Sequence, residues 1–158
     1  MRPSVSAIIQ EKRILLGDGR FLQVGALVYR FLPDKLQILL ITSRKRKRWI
    51  VPKGWPMPGK TLSQAALQEA YEEAGVRGVV HAHPLGHYTY EKSDMSKGKN
   101  DHFDVEVFAV LFSHQEKKWP ERKQRVFEWV TPEEAATRVD EPGLKQIFLE
   151  FARSRGLV

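Results

Sequence analysis

A loop rich in proline and glycine, followed directly by one clearly marked helix, constrains the fold of this chain more than any other feature. Residues 52–60 hold three Pro and two Gly in nine positions, which excludes regular secondary structure over most of that stretch. Residues 61–64 read Thr-Leu-Ser-Gln, a capping box, and Gly75 suits the left-handed cap that ends many helices. The sequence therefore predicts a helix from Thr61 to Ala74 that begins immediately after an irregular loop.

Short runs of β-branched and aromatic residues on both sides of this helix predict a sheet. The predicted strands are 21–31, 36–42, 49–51, 79–90, 103–112 and 125–130. Thr131 and Pro132 begin a short helix, and apolar residues at helical spacing predict a final helix over 144–151. We expect one α/β domain with a mixed sheet over residues 21–158, preceded by an irregular N-terminal segment, residues 1–20.

The cysteine content, hydropathy and charge exclude several functional classes. The chain of 158 residues has no Cys, which excludes zinc sites built from Cys, iron–sulfur clusters, thiol nucleophiles and disulfide scaffolds. Its longest apolar runs are far shorter than the roughly 20 residues needed to span a bilayer. Residues 1–13 lack the apolar core of a secretory signal, so we expect a cytoplasmic location. The formal net charge is +7, and two segments carry all of the excess: residues 44–48 have +5 and residues 116–125 have +3, while the other residues sum to −1. This excess indicates an anionic partner.

Three carboxylates share one face of the predicted helix. At about 100° per residue, Glu69, Glu72 and Glu73 cluster opposite the apolar residues. They repel one another by roughly 0.2–0.5 kcal/mol per pair, and they crowd the C-terminal end, where the helix dipole disfavours anions. No Lys or Arg occurs from residue 61 to residue 76 to offset them. A divalent cation would convert this arrangement into a metal site; an acidic, solvated helix face is the alternative.

A phosphate-binding loop is a competing interpretation of the same stretch. Residues 54–61 read Gly-Trp-Pro-Met-Pro-Gly-Lys-Thr, which matches G-x-x-x-x-G-K-T between a strand and a helix. Such a loop binds phosphate through consecutive backbone N–H groups, and Pro56 and Pro58 remove two of them. Trp55 is also bulky for a loop that must wrap a phosphate. This interpretation leaves the three glutamates unexplained, and we therefore disfavour it.

Residues 54–76 resemble the Nudix box, G-x5-E-x7-R-E-U-x-E-E-x-G-U, in which U is an aliphatic residue. The matching positions, in chain order, are Gly54, Glu69, Ala70, Glu72, Glu73, Gly75 and Val76. Two positions differ, because Lys60 replaces the first Glu and Gln68 replaces the Arg. The order of the predicted elements is also similar to the Nudix fold, an α/β/α sandwich with a mixed β-sheet, over roughly residues 20–155.

The resemblance implies hydrolysis of a nucleoside diphosphate linked to another moiety, or of a related pyrophosphate. It implies Mg²⁺, with Mn²⁺ as the alternative, bound by the Gly54 carbonyl and by Glu69, Glu72 and Glu73. Glu72 and Glu73 are the expected catalytic residues, and the base is either Glu72 or a carboxylate outside the helix. The candidates for that carboxylate are Asp104, Glu106, Glu121 and Glu128. Metal ions suit this chemistry because they neutralise the pyrophosphate and lower the pKa of the attacking water.

A narrower similarity concerns the basic segments. Residues 43–52 and 119–135 are similar to diphosphoinositol polyphosphate phosphohydrolases, a Nudix branch that also cleaves dinucleoside polyphosphates. We expect a polyphosphorylated small molecule as substrate, since such substrates need several Lys or Arg. The expected phosphate contacts are Arg44, Arg48, Lys53 and Arg125. The alternatives are a non-catalytic module that binds RNA or inositol phosphates and a pyrophosphohydrolase acting on RNA 5′ ends. A monomer and a homodimer are both compatible with the sequence.

Overall fold

The computed structural model describes residues 2–94 and 96–155. Within these residues the chain forms strands β1–β8, helices α1–α3 and one turn of 3-10 helix, Arg122–Gln124. The strands are β1 Phe21–Leu32, β2 Lys35–Thr42, β3 Trp49–Ile50, β4 Lys53–Gly54, β5 Val76–Val80, β6 Gly86–Asp94, β7 Lys99–Gln115 and β8 Phe127–Val130. The helices are α1 Leu62–Ala74, α2 Pro132–Arg138 and α3 Pro142–Ser154.

The strands form one mixed sheet around β1 and β7, which pair in parallel. The order along the main path is β3-β2-β1-β7-β5, and the other pairings are antiparallel. The short β4 pairs with β1, so that Gly54 lies opposite Val24 and Lys53 lies opposite Gly25. The expected α/β architecture with a mixed sheet is confirmed.

Two apolar cores lie on opposite faces of the sheet because side chains alternate along each strand. On β1, Val24 and Val28 pack in the core that contains the apolar face of α1. Leu27, between them, packs in the second core, which α2 and α3 cover with residues such as Leu144 and Phe148. The sheet is therefore sandwiched between α1 and the α2–α3 pair.

Helix α1 begins and ends with the predicted caps. Thr61 Oγ1 accepts from the Gln64 backbone N–H at 3.3 Å, and Gln64 Oε1 accepts from the Thr61 N–H at 2.9 Å. Gly75 adopts φ 72°, and its N–H donates to the carbonyls of Ala70 and Tyr71. The last turn of the helix carries no basic residue, as the sequence indicates.

The predicted strand 79–90 is wrong as a single element. The structure has two strands there, β5 and β6, separated by residues 81–85. Both pair with the long β7, since Val80 lies opposite Val110 and Gly86 lies opposite Val107. The polar stretch expected to be a loop also extends this hairpin, with Lys92 opposite Asp101. Polarity there reflects solvent exposure, which is compatible with strand pairing.

The N-terminal segment is irregular but packs against the domain. Apart from a bridge at Leu15, residues 2–20 form no strand or helix. Ile9 is buried, donates to the Lys60 carbonyl at 2.9 Å and accepts from the Gly59 N–H at 2.9 Å. The segment thus supports the loop that precedes α1. Residues 156–158, included in the predicted domain, lie outside the described residues. No helix in the described part of the chain is long and apolar enough to cross a membrane.

Candidate active site

Two of the predicted carboxylates meet in the interior. Glu69 and Glu73 lie one turn apart on α1, and their exposed fractions are 8% and 6%. Burial, above all, and the neighbouring charge of Glu73 raise the pKa of Glu69 to about 9. Burial also raises the pKa of Glu73 to about 7, although the positive charges of Arg125 and Lys53 oppose that rise. The pair is therefore a buried place where ionisation of both carboxylates is unfavourable until a positive charge is bound there.

Gly54 provides the space for this pair. A Cβ built on Gly54 would overlap the carboxylate of Glu69, so that only glycine lets the carboxylate approach the backbone of β4 so closely. The next residue toward the N-terminus, Lys53, donates its backbone N–H to Glu73 Oε1 at 3.3 Å. Glu69 and Glu73 thus both contact β4.

Glu72 is turned differently from its two neighbours. It is partly exposed, and its Oε2 accepts from Gln68 Nε2 at 2.8 Å. Within residues 2–94 and 96–155, no three His, Asp or Glu side chains are arranged to hold one ion as they stand. The fit to a hard divalent cation therefore rests on the buried Glu69–Glu73 pair and on the cradle at Gly54, whose oxygen donors are of the kind that Mg²⁺ prefers.

Three of the four carboxylates considered outside the helix are engaged elsewhere. Asp104 pairs with Arg2, and Glu106 Oε2 lies 4.0 Å from Arg2 Nη1. Glu128 Oε2 accepts from Arg138 Nη2 at 2.7 Å on the surface. These contacts involve the N-terminal segment and α2, and none involves α1.

Glu121 is the remaining carboxylate, and the structure brings it to the helix. Its backbone N–H donates to the Glu72 carbonyl at 3.0 Å. Its charge contributes to the raised pKa values of both Glu69 and Glu73. Arg125 donates to Glu121 Oε1 through Nε at 3.0 Å and Nη2 at 2.8 Å. Glu121 is therefore the fourth acidic group of the site.

The loop that carries Glu121 is fastened to the C-terminal end of α1. The donors Gln115 Nε2, Glu116 N and Glu121 N reach the carbonyls of Ala74, Gly75 and Glu72 at 2.9, 2.8 and 3.0 Å. The Trp119 indole packs against Gly75 so closely that a Cβ there would overlap it. These donors satisfy carbonyls that the end of a helix leaves free.

The expected phosphate contacts fall into two groups, of which Arg44 and Arg125 form the first. Arg44 is 59% exposed, with its Nη1 3.2 Å from Gln124 Oε1 and its Nε 3.9 Å from Glu121 Oε1. Arg125 is 9% exposed, lies 3.8 Å from Glu73 Oε1 and donates from Nη1 to the Thr42 carbonyl at 3.0 Å. Both arginines also lie beside Glu121, Arg44 on the solvent side and Arg125 on the interior side.

Arg48 and Lys53 form the second group, next to the start of α3. Arg48 Nη1 lies 3.0 Å from Asp140 Oδ2 and 3.2 Å from Glu141 Oε2. The Lys53 ammonium lies over the Tyr90 ring, 4.9 Å from its centroid, and burial lowers its pKa. Arg48 Nε and Glu141 Oε1 are both buried without a hydrogen-bond partner among the described residues. Buried polar groups without a partner are exceptional, and water or an ion commonly supplies the missing hydrogen bond at such places.

Sequence reasoning missed Glu141 and the role of Tyr90 beside Lys53. The only local signal at Glu141 is Pro142, which marks the start of a helix. Nothing in that signal indicates that the Glu141 side chain reaches Arg48, 93 residues away along the chain.

Comparisons with known proteins identify similar sequences along most of the chain. Residues 21–151 match the model of the NUDIX domain. The chain is 32% identical to Nudix hydrolase 16, mitochondrial, of Arabidopsis thaliana over 149 residues, covering 84% of this chain and 80% of that protein. It is 33% identical to Nudix hydrolase 4 of the same plant over 120 residues, covering 71% of this chain but only 56% of that protein.

Solved structures show the same fold at low sequence identity. The crystal structure of a C. elegans Ap4A hydrolase is similar with a TM-score of 0.58 and 23% identity, over 84% of this chain and 96% of that one. A MutT protein from Methanosarcina mazei Go1 is similar with a TM-score of 0.62 and 19% identity, over 86% of this chain and 95% of that one. The α/β/α sandwich expected from the motif is confirmed.

Proposed function

We infer the reaction from the premise that this chain belongs to the Nudix family and is a hydrolase of phosphorus anhydrides. The proposed function is Mg²⁺-dependent hydrolysis of a pyrophosphate linkage in a polyphosphorylated small molecule. The observation that carries the proposal is the buried Glu69–Glu73 pair beside Gly54, with positively charged side chains around it. Carboxylates would bind the metal, and cations that solvent reaches, such as Arg44, would bind the phosphates that the metal does not reach.

In this proposal Glu69, Glu73 and the Gly54 carbonyl hold the divalent cation, with Glu72 or Glu121 completing the set. The bound ion neutralises the pyrophosphate and lowers the pKa of the attacking water. Glu72 is the proposed base, because it is partly exposed and water can reach it. The Lys53 backbone N–H holds Glu73 in place through its hydrogen bond to Oε1.

The second group of basic residues favours a substrate that also carries hydrogen-bond donors. Arg48 and Lys53 suit phosphate, but Glu141 lies beside Arg48 with Oε1 buried and unpaired among the described residues. A ribose hydroxyl or a base amino group would satisfy that oxygen, whereas another phosphate would be repelled by it. We therefore favour a dinucleoside polyphosphate over a diphosphoinositol polyphosphate, in which phosphates replace the hydroxyls.

The test is turnover of a substrate panel by the purified chain with Mg²⁺. The panel contains diadenosine polyphosphates, inositol pyrophosphates, nucleoside triphosphates and triphosphorylated or capped RNA. We expect cleavage of diadenosine polyphosphates that Glu73→Gln abolishes and Glu133→Gln, at an exposed position on α2, leaves intact. Tight, salt-sensitive binding without turnover of any member would identify a non-catalytic binding module instead. Cleavage of RNA alone would assign the substrate to RNA 5′ ends.

A further inference from the structure

We propose that Arg125 is a positioning residue that holds Glu121 beside Glu73, and that it does not bind the substrate. This inference rests on the proposed function. Its basis is the set of partners that surrounds the guanidinium. Nε and Nη2 both donate to Glu121 Oε1, and Nη1 donates to the carbonyl of Thr42. With a side chain 9% exposed, the donors of Arg125 are directed at protein groups.

The backbone next to Arg125 fixes this orientation. The Val126 N–H donates to Thr42 Oγ1 at 3.0 Å, and the Thr42 N–H donates to the Val126 carbonyl at 3.0 Å. The chain is therefore tied to the end of β2 immediately after Arg125. From that anchor the side chain crosses to Glu121 and Glu73, so that one residue connects β2, the loop and α1.

An arginine is needed at this place because the helix supplies no cation of its own. Helix α1 has no basic residue in its last turn. At the position where the Nudix box has Arg, Gln68 offers Glu72 a hydrogen bond but no charge. Arg125 brings a positive charge to Glu73 and Glu121 from another part of the chain. Its planar fork makes several directed contacts at once, which a lysine ammonium cannot reproduce.

Arg44 is the matched control, since it approaches the same glutamate from solvent. Its Nε lies 3.9 Å from Glu121 Oε1, and its side chain is 59% exposed. The Arg44 side chain is therefore free to turn toward an incoming phosphate. The two arginines should therefore differ in which kinetic constant they affect.

The experiment compares kcat and KM for a diadenosine polyphosphate. We expect Arg125→Gln to lower kcat by about tenfold or more, with KM within about twofold of the parent. Arg125→Lys should lower kcat as well, because it keeps the charge but loses the fork. Arg44→Gln should instead raise KM. An increase of KM with unchanged kcat in Arg125→Gln would identify Arg125 as a phosphate ligand and overturn the proposal.

A double-mutant cycle tests whether Arg125 acts through Glu121. If it does, Glu121→Gln combined with Arg125→Gln loses little more activity than the more damaging single change. Multiplied losses would show independent roles and contradict the proposal.

A second measurement does not depend on activity and separates this inference from the proposed function. Amide hydrogen exchange in residues 121–126 should be faster in Arg125→Gln than in the parent, and much closer to the parent in Arg44→Gln, whose side-chain contacts with Gln124 and Glu121 are exposed. Unchanged exchange in the Arg125 variants would overturn the positioning role even if the enzyme is active. Faster exchange in Arg125→Gln, together with no turnover of any substrate by the parent, would support the positioning role and refute the proposed function.

Discussion

The carboxylate of Glu69 lies directly against the backbone of Gly54, in the space that a side chain at position 54 would fill. The two residues belong to different elements, β4 and α1, and their contact sets how deeply the helix face sits against the sheet. The proposed metal-dependent reaction would require ligand positions accurate to well under 1 Å, so this contact would be a sensitive point of the site.

We expect Gly54→Ala to displace Glu69 and to lower kcat/KM by about 100-fold, the usual cost of a misplaced group at a reacting centre. Gly17→Ala is the control, because a Cβ at Gly17 has no neighbour within 4 Å. Steady-state kinetics with Mg²⁺ checks the difference. Equal activity in both variants would mean that Glu69 is not a ligand.

The metal-free protein should lose stability as pH rises from about 5 to 9. The pKa values of Glu69 and Glu73 are raised to about 9 and about 7 in the folded state, from an ordinary value of 4.5. Between these values the folded state holds more protons than the unfolded state, so the free energy of unfolding falls with rising pH. This contribution is complete below about pH 4.5 and lost as pH passes the folded values.

Thermal unfolding at pH 5, 7 and 9 checks this dependence. Glu69→Gln should raise Tm at pH 8 by about 2–4 °C, corresponding to roughly 1 kcal/mol. Mg²⁺ should stabilise the parent at pH 8 and act much less on Glu69→Gln, since a ligand stabilises only the state that binds it. A Tm that rises with pH in the metal-free parent would contradict the burial of this pair.

Glu141 should influence which substrate is preferred. We expect Glu141→Gln to raise KM for a diadenosine polyphosphate by about three- to tenfold, because the amide oxygen still accepts a hydrogen bond but without the strength that the charge adds. The same change should lower KM for an inositol pyrophosphate, because it removes a repulsive charge. Asp140→Asn is the control, as Asp140 also pairs with Arg48 but is exposed. Parallel changes for both substrates would place Glu141 outside the binding site.

Gly75→Ala should destabilise the domain by about 1–2 kcal/mol, the cost of a left-handed backbone for a residue with a Cβ, and by more where Trp119 must move. Gly75 has φ 72°, and the Trp119 indole occupies the position of the missing side chain. Trp119→Ala combined with Gly75→Ala should recover part of the loss that is due to overlap. Chemical denaturation measures each step, and no recovery would show that backbone strain alone is responsible.

Local signals predicted the parts of the fold that depend on neighbours in sequence. The capping box at Thr61 and the cap at Gly75 placed α1 within one residue of its observed start. The division of residues 79–90 into two strands was not predictable in this way, because it depends on which residues of the long β7 pair with β5 and which pair with β6. Pairing across a sheet is a property of the assembled chain.

In the candidate site, too, the local sequence predicted some features, and others depend on the assembled chain. The motif placed Glu69 and Glu73 on the face that the structure buries. The sequence did not rank Asp104, Glu106, Glu121 and Glu128, since carboxylates spread over the chain carry no local mark of their partners. The contact between Glu121 and Glu72, which are far apart in sequence, distinguishes Glu121 from the other carboxylates.

The attachment of the loop that carries Glu121 to the last turn of α1 has a consequence for protein engineering. A helix that ends in glutamates opposes its own dipole, and here the loop supplies the N–H donors that cover its terminal carbonyls. Transplanting residues 54–76 alone into another protein would therefore yield a helix that frays at its C-terminal end, where Glu72 and Glu73 lie. Loop and helix therefore depend on each other, and a redesign that exchanges the loop for a new specificity would also disturb the glutamates at the end of the helix.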